Sequence, residues 1–181
     1  MSVISLAEVM NEPGIDHVFD IDIETESLKT GDRKCLIATK KPVHLVIRSN
    51  GERKITFSAS ISIILQVPCD RCLEPVEVPF EDEQNFKITF DENGSQLIGD
   101  DDDEYDFING YNLDVDAYVA EEVVIGFPMK VLCSEECKGL CSVCGANLNK
   151  GECGCDRTVL DPRMSIIRDI FRQQGSPSDK E

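Results

Sequence analysis

The chain of 181 residues carries 35 acidic and 18 basic side chains, a formal net charge of −17, and 41% of its residues are hydrophobic. A chain of this length buries a core without the help of disulfide bonds, and no apolar run reaches the roughly 18 residues of a membrane-spanning helix. The first residues, MSVISLAEVMNEPG, contain no cationic leader before an apolar segment. We therefore expect a cytosolic protein whose nine cysteines are reduced thiols, not a secreted disulfide scaffold.

The first half of the sequence has the pattern of antiparallel β-strands. Apolar and polar residues alternate with a period of two, which is typical of strands, at residues 17–23, 43–48, 55–65, 76–80 and 86–90. An Asn50-Gly51 pair predicts a turn between the second and third of these stretches, which makes them a long hairpin. Residues 24–41 are polar, and we predict a loop there.

An acidic insert at residues 91–110 interrupts the strand pattern. Residues 81–122 contain 15 acidic side chains against one basic side chain, so most of the net charge lies in this part of the chain. Four consecutive aspartates at 100–103 repel one another and disfavour a packed element. We therefore predict a solvated loop for the insert.

A central helix is predicted after the insert, at residues 114–126. Asn112 precedes it as the candidate N-cap, and Phe127-Pro128 ends the helical pattern. The residues at helical spacing are Val115, Tyr118, Val119, Glu122 and Val123. A second, short helix is predicted to begin at Asp161 and Pro162.

Eight of the nine cysteines form close pairs, and this is the strongest functional signal in the sequence. The pairs are Cys69 and Cys72, Cys133 and Cys137, Cys141 and Cys144, and Cys153 and Cys155. Four thiolates bind zinc in a closed tetrahedron, and two short cysteine turns placed face to face provide them. Gly145 directly follows one pair, where the chain must turn back with a positive φ so that N–H groups point at the sulfur atoms. The sequence therefore predicts two zinc sites.

Spacing along the chain divides the eight cysteines between the two sites. Eight residues separate Cys144 from Cys153, a loop long enough to fold back, so the last two pairs are predicted to form one local site. The pairs that begin at Cys69 and Cys133 then form a second site between segments about 60 residues apart. The alternative is that Cys133 and Cys137 are spare thiols. Cys35 stands alone in a polar segment, and we expect it to be a spare thiol that tolerates replacement by serine.

Four segments together resemble the YceD family, the large ribosomal RNA subunit accumulation proteins. They are CDRCLEPV after a long apolar strand, Gly-Phe-Pro-Met at the end of the central helix, CSEECKGLCSVCGANLN with CGC behind it, and DPRMSIIRDIF. The resemblance covers about residues 15–172. It implies a bacterial cytosolic protein, not an enzyme, that large-subunit ribosomal RNA needs in order to accumulate. It also implies a gene commonly located beside that of a small ribosomal protein of the large subunit.

The predicted fold class is α+β, with an antiparallel β core, a central helix, a zinc-knuckle segment and a short C-terminal helix. Residues 1–130 are predicted to form the β-rich core with the central helix and the acidic insert. Residues 131–172 are predicted to be the cysteine-rich zinc-binding segment with the C-terminal helix, and residues 173–181 a disordered tail.

No set of catalytic side chains emerges from the sequence, which has two histidines, His17 and His44, and no phosphate-binding loop. We predict a non-enzymatic accessory factor of ribosome assembly whose partner is a ribosomal protein or large-subunit pre-rRNA, with no membrane and no small-molecule substrate. Eight basic residues between Lys29 and Lys54 are the candidate RNA contact. Two other classes remain open, a thiol-disulfide or redox-sensing protein that uses CDRC, and a general zinc-ribbon nucleic-acid binder.

Overall fold

The computed structural model of the protein describes residues 2–31, 33–96 and 105–156. These residues are mostly antiparallel β-sheet with two helices, so the α+β class is confirmed. The elements in chain order are β1 (Val3–Ser5), α1 (Leu6–Met10), β2 (Asp16–Ile21), β3 (Ser27–Thr30), β4 (Arg33–Lys40), β5 (Val43–Gly51), β6 (Lys54–Pro68), β7 (Pro75–Thr89), β8 (Ile108–Asn109), β9 (Asn112–Asp114) and α2 (Val115–Gly126). No helix in the described ranges is long and apolar enough to cross a membrane.

Strand β6 is the centre of the larger sheet, whose strand order is β2-β5-β6-β4-β3. Its first half pairs with β5 and its second half with β4. Strand β7 pairs with β6 along its full length, so it must lie on the opposite edge of β6. The predicted hairpins are thus present, and Cys69 and Cys72 lie in the turn between β6 and β7. A smaller sheet has the order β1-β9-β8.

The prediction of a loop at residues 24–41 is wrong, because this segment contains β3 and β4. Although the segment is mostly polar, two of its side chains, Leu28 and Cys35, are buried in the core. Strand β4 is held by pairing with the distant β6, for example Leu36 opposite Gln66. Tertiary pairing therefore overrides the weak local pattern.

Helix α2 packs its buried face against the inner face of β6 and β7. Its buried residues are Val115, Tyr118, Val119, Glu122 and Val123, the set that the spacing predicts. The Tyr118 ring lies 6.0 Å from the Phe57 ring of β6 and 5.8 Å from the Phe86 ring of β7, measured between centroids and edge to face. Phe57 and Phe86 stack on each other at 4.5 Å, so this aromatic cluster fixes the helix on the sheet.

The N-cap of α2 is Asp114, and the prediction of Asn112 is wrong because that residue pairs in β9. The Asp114 carboxylate accepts a hydrogen bond from the backbone N–H of Ala117 at 3.1 Å. Asp116, two residues further, accepts hydrogen bonds from the N–H groups of Glu24 and Thr25 at 3.0 and 3.2 Å. The first turn of the helix therefore also fastens the segment that follows β2.

The end of the acidic insert is packed and not solvated, which corrects the prediction for residues 105–110. Phe107 is 1% exposed and its ring lies 5.2 Å from that of Tyr118. The Gln96 side chain bridges the two sides of the insert, since it donates to the Tyr105 carbonyl at 2.8 Å and accepts from the Tyr105 N–H at 3.1 Å. The four aspartates at 100–103, the predicted C-terminal helix and the tail lie outside the described residues.

Cys35 is completely buried, so its replacement by serine is not neutral as the sequence suggests. We expect Cys35→Ser to lower the free energy of unfolding by about 1–2 kcal/mol, because a hydroxyl is harder to desolvate than a thiol. The Thr30 hydroxyl, 3.2 Å from the Cys35 sulfur, keeps the cost moderate by offering a hydrogen bond. Urea unfolding and metal analysis check this. Loss of a metal equivalent in Cys35→Ser would mean that Cys35 is not the spare thiol.

Glu122 makes the stability of the fold depend on pH. Its burial under α2, followed by the charge of Asp82 on β7, raises its pKa from 4.5 to about 7. The folded state therefore favours the protonated carboxyl, whose contribution is fully present below pH 4.5 and is lost as the pH rises through about 7. We expect Glu122→Gln to stabilise the fold by about 2 kcal/mol more at pH 8.5 than at pH 4.5, measured by urea unfolding. Glu77→Gln, on the exposed side of β7, is the control. Equal pH profiles for wild type and Glu122→Gln would contradict the expectation.

Candidate metal centres

The first centre joins the tip of the β6–β7 hairpin to the segment that follows α2. Its thiols belong to Cys69 and Cys72 in the turn and to Cys133 and Cys137 after the helix, and all four sulfur atoms lie within 4.8 Å of one another. The Cys69 and Cys137 sulfurs are 3.8 Å apart, and those of Cys72 and Cys133 are 3.5 Å apart. Both of these approaches join a cysteine of the hairpin turn to a cysteine of the segment after the helix.

The second centre is local. Cys141, Cys144, Cys153 and Cys155 also place their sulfur atoms within 4.8 Å of one another. Gly145 has a φ of 74°, the positive value that the sequence predicts, and its N–H donates to the Cys141 carbonyl at 2.9 Å. The turn after the Cys141 pair therefore has the form of a metal knuckle.

Backbone N–H groups stabilise one thiolate in each centre. Burial raises the pKa of Cys69, but hydrogen bonds from the N–H groups of Arg71, Cys72 and Cys133 outweigh it and lower that pKa to about 6. In the second centre, the N–H groups of Cys144 and Val143 lower the pKa of Cys141 to about 6. Each centre thus contains at least one thiol whose pKa is lowered, and in the first centre the Asn149 side chain also lowers the pKa of Cys137.

A second thiol in each centre resists ionisation. The N–H of Glu74 lowers the pKa of Cys72, but burial and the neighbouring sulfurs outweigh it and raise that pKa to about 12. The adjacent Cys144 thiol is the main cause that raises the pKa of Cys155 to about 12. Four thiolates so close together need a compensating cation, and four sulfurs without a carboxylate or imidazole suit a metal ion that prefers soft ligands.

The two residues between Cys69 and Cys72 hold the first centre in place. One carboxylate oxygen of Asp70 accepts a hydrogen bond from the Val131 N–H at 2.8 Å. The other oxygen forms an ion pair with Arg33 at 2.8 Å. Arg71 donates from its guanidinium to the Cys137 carbonyl at 2.8 Å. The CDRC turn therefore contributes two side-chain anchors to the opposing segment in addition to its two sulfurs.

The loop of the second centre touches the first centre. The Asn149 side-chain amide donates to the Cys137 sulfur at 3.3 Å, while its oxygen accepts the Lys138 N–H at 2.7 Å. Glu74, just after the CDRC turn, accepts hydrogen bonds from Asn147 at 3.1 Å and from Lys150 at 2.6 Å. The loop between the two pairs of the second centre is therefore part of the support of the first.

Gly139 lies where the chain passes from one centre to the other. Its φ is 77°, and a Cβ added there would lie 3.0 Å from the Arg71 carbonyl oxygen. That carbonyl accepts the N–H of Leu140 at 3.1 Å. Only glycine allows this close passage without strain.

The structure brings all eight predicted ligands together in the two predicted groups, while metal binding by them stays a prediction. The histidines lie elsewhere, His17 beside Glu12 and His44 hydrogen-bonded to Asp20. Sequence reasoning missed the supporting side chains Asp70, Arg71, Glu74 and Asn149. The only signal for them is their position, since each lies within or next to a predicted metal-binding turn.

The fold and the two centres define an antiparallel β protein whose central hairpin is fastened through cysteines to the segment after its helix. The chain belongs to the YceD family, since the family model described as Large ribosomal RNA subunit accumulation protein YceD matches residues 57–171, more than half of the chain. This match contains most of β6, all of α2 and the eight paired cysteines. The family name indicates a role in the accumulation of the large ribosomal RNA subunit.

Individual relatives are distant. The chain is 24% identical over 147 residues to Large ribosomal RNA subunit accumulation protein YCED homolog 1, chloroplastic, of Arabidopsis thaliana, with 67% of this chain and 46% of the relative covered. The protein of the same name from Zea mays is 25% identical over 146 residues, with 66% and 50% covered. Uncharacterized protein YlbN of Bacillus subtilis is 27% identical over 122 residues, with 67% and 69% covered. The chain therefore spans about half the length of the plant relatives. No solved structure matches it.

The two centres are predicted to differ in what their loss does to the fold. Cys72→Ser should lose one metal equivalent and unfold or aggregate, because the first centre joins segments about 61 residues apart in the chain and its binding free energy is folding free energy. Cys153→Ser should also lose one equivalent, yet keep the strand core and disorder mainly residues 138–156.

Metal content by mass spectrometry and amide exchange of the two variants test this difference. Cys35→Ser serves as the matched control, since it removes a thiol outside both centres. Retention of both metals and of a native strand core by Cys72→Ser would show that the site of Cys69, Cys72, Cys133 and Cys137 does not exist.

Proposed function

We propose that the protein is a non-enzymatic accessory factor of ribosome assembly that supports the accumulation of large-subunit ribosomal RNA by binding a ribosomal protein. The observation that carries this proposal is the match of residues 57–171 to the YceD family model. The names of the plant relatives, which describe accumulation of the large ribosomal RNA subunit, agree with it.

We propose zinc as the metal of both centres, with a structural role. A zinc–sulfur bond of about 2.3 Å places the four sulfurs of a tetrahedron about 3.8 Å apart. The separations of 3.8 and 3.5 Å in the first centre fit this geometry. Four thiolates leave no open position for a water molecule or substrate, which a catalytic zinc requires. Zinc would therefore hold segments of the chain together and would not take part in catalysis.

The charge of the chain favours a protein partner over RNA. A formal net charge of −17 repels phosphates, whereas ribosomal proteins that bind RNA must themselves be basic. An acidic factor can hold such a basic protein until its RNA site is available. Binding of pre-rRNA is the alternative that the same experiment tests.

The candidate RNA contact between Lys29 and Lys54 is weakened by its own ion pairs. Counting carboxylates of the described residues only, four of its eight basic side chains lie within 4.0 Å of a carboxylate oxygen. These pairs are Arg33 with Asp70, Arg48 with Asp16, Arg53 with Glu92, and Lys54 with Glu52. A phosphate backbone would have to displace these partners, which supports the assignment of a protein partner.

Tagged protein, captured from cells and analysed by mass spectrometry and RNA sequencing, tests the proposed function. We expect one basic large-subunit ribosomal protein in near-equal amount, with RNA lost after nuclease treatment and the protein retained. Depletion of the factor should lower the large-subunit peak in a sucrose gradient. An unchanged gradient would reject the role in assembly, and a complex that nuclease abolishes would assign pre-rRNA as the partner.

A further inference from the structure

A groove of about 550 Å³ lies between β1 with α1 on one side and β2 on the other, away from both metal centres. Its lining comes from three elements that the family model, which begins at residue 57, does not include. The metal centres do not use this surface. The metal centres therefore do not account for the shape and charge of the groove.

One wall of the groove is the edge of a strand. Strand β1 pairs with β9 along one side, and within the described ranges no strand pairs with its other side. Three consecutive residues, Val3, Ile4 and Ser5, line the groove. Neighbouring residues of a strand point to opposite faces, so a ligand that meets all three meets the backbone edge. Such an edge accepts an added strand through backbone hydrogen bonds.

The opposite wall is a side-chain face. Phe19 and Ile21, two residues apart on β2, line the groove and are only partly covered by the core. Val9 of α1, which is 1% exposed, lies between the two walls. Every second side chain of an extended ligand would therefore meet apolar surface.

The rim of the groove is acidic. Glu8 of α1 and Glu12, which lies two residues after the helix, both line the groove with their carboxylates, and both are exposed. No lysine or arginine of the described residues lines the groove, and its single histidine, His17, lies 3.4 Å from Glu12. Ligand side chains near this rim are favoured when they carry positive charge.

We propose that this groove binds an extended, lysine- or arginine-rich segment of the partner protein, which adds to β1 as an antiparallel or parallel strand. Alternate apolar side chains of the segment pack on Phe19 and Ile21, and its basic side chains pair with Glu8 and Glu12. This inference rests on the proposed function, because it assigns the surface and the chemical class of the partner segment. It excludes the CDRC tip as the main contact.

The test uses full-length protein and a fluorescein-labelled peptide of ten residues with alternating lysine and valine. Glu8→Lys with Glu12→Lys should weaken binding at least tenfold in fluorescence anisotropy. The matched control, Glu77→Lys with Glu81→Lys on the exposed side of β7, makes the same charge change and should weaken binding less than threefold. Methylation of alternate peptide nitrogens should also weaken binding at least tenfold, because it removes strand hydrogen bonds and keeps the charge.

Amide resonances locate the contact. The peptide should shift and protect the amides of Val3 and Ser5, whose N–H groups point away from β9, and leave those of the CDRC turn unchanged. Equal loss of binding in both double variants, or binding unaffected by methylation, would overturn the proposal. Protection of the Val3 and Ser5 amides in the free protein would also overturn it, because the chain itself or a second copy would then fill the groove. So would a ten-nucleotide RNA that shifts these amides when the peptide does not.

Different results would reject the proposed binding groove and the proposed function. Capture of the ribosomal protein by the Glu8→Lys, Glu12→Lys variant at the wild-type level would reject the groove and leave the proposed function standing. Absence of any ribosomal protein from the wild-type capture would reject the proposed function itself.

Discussion

The approach of four cysteine sulfurs at the end of the β6–β7 hairpin is the constraint on which the rest of the structure depends. Strands of 15 residues each extend the hairpin to this point. The segment after α2 returns there, so Cys72 and Cys133 close a loop that contains β7, the acidic insert, the smaller strands and the helix. Closing a long loop costs only slightly more entropy than closing a short one, whereas a metal bound at these four sulfurs would contribute its binding free energy to folding. The position of α2 on the sheet is therefore fixed at two places, by the aromatic cluster around Tyr118 and by the first centre.

The second centre extends this constraint. From its loop, the Asn149 side chain donates a hydrogen bond to the Cys137 sulfur, and two further side chains donate to Glu74. Charge-assisted contacts of this kind orient the ligands of a metal site and support its affinity. The two centres thus form one connected structural unit at one end of the sheet. The acidic groove at β1, where we propose that the partner segment binds, lies on different elements.

The sequence predicted the elements whose pattern is local and strong. These include the alternation of β6, the buried face of α2 and the division of eight cysteines by their spacing. It did not predict β3 and β4, because β3 pairs with β4, and β4 pairs with β6, which lies about 30 residues away in the chain and cannot be read from local polarity. The burial of Phe107 was not predicted either, because acidic residues surround it in the sequence and only tertiary packing places its ring in the core. Asp70 and Asn149 support the first centre through side-chain hydrogen bonds, which leave no periodic pattern in a sequence.

Hydrogen exchange of the same protein with its metal bound and after removal by a chelator tests the central claim most directly. If the first centre fastens the hairpin tip to the segment after α2, removal of the metal should raise exchange first at residues 67–76 and 131–137. The middle of β6, around Phe57, should follow only as the whole fold opens. Unchanged protection of these two segments after complete metal removal would contradict the account, because the strands and the aromatic cluster alone would then hold the structure.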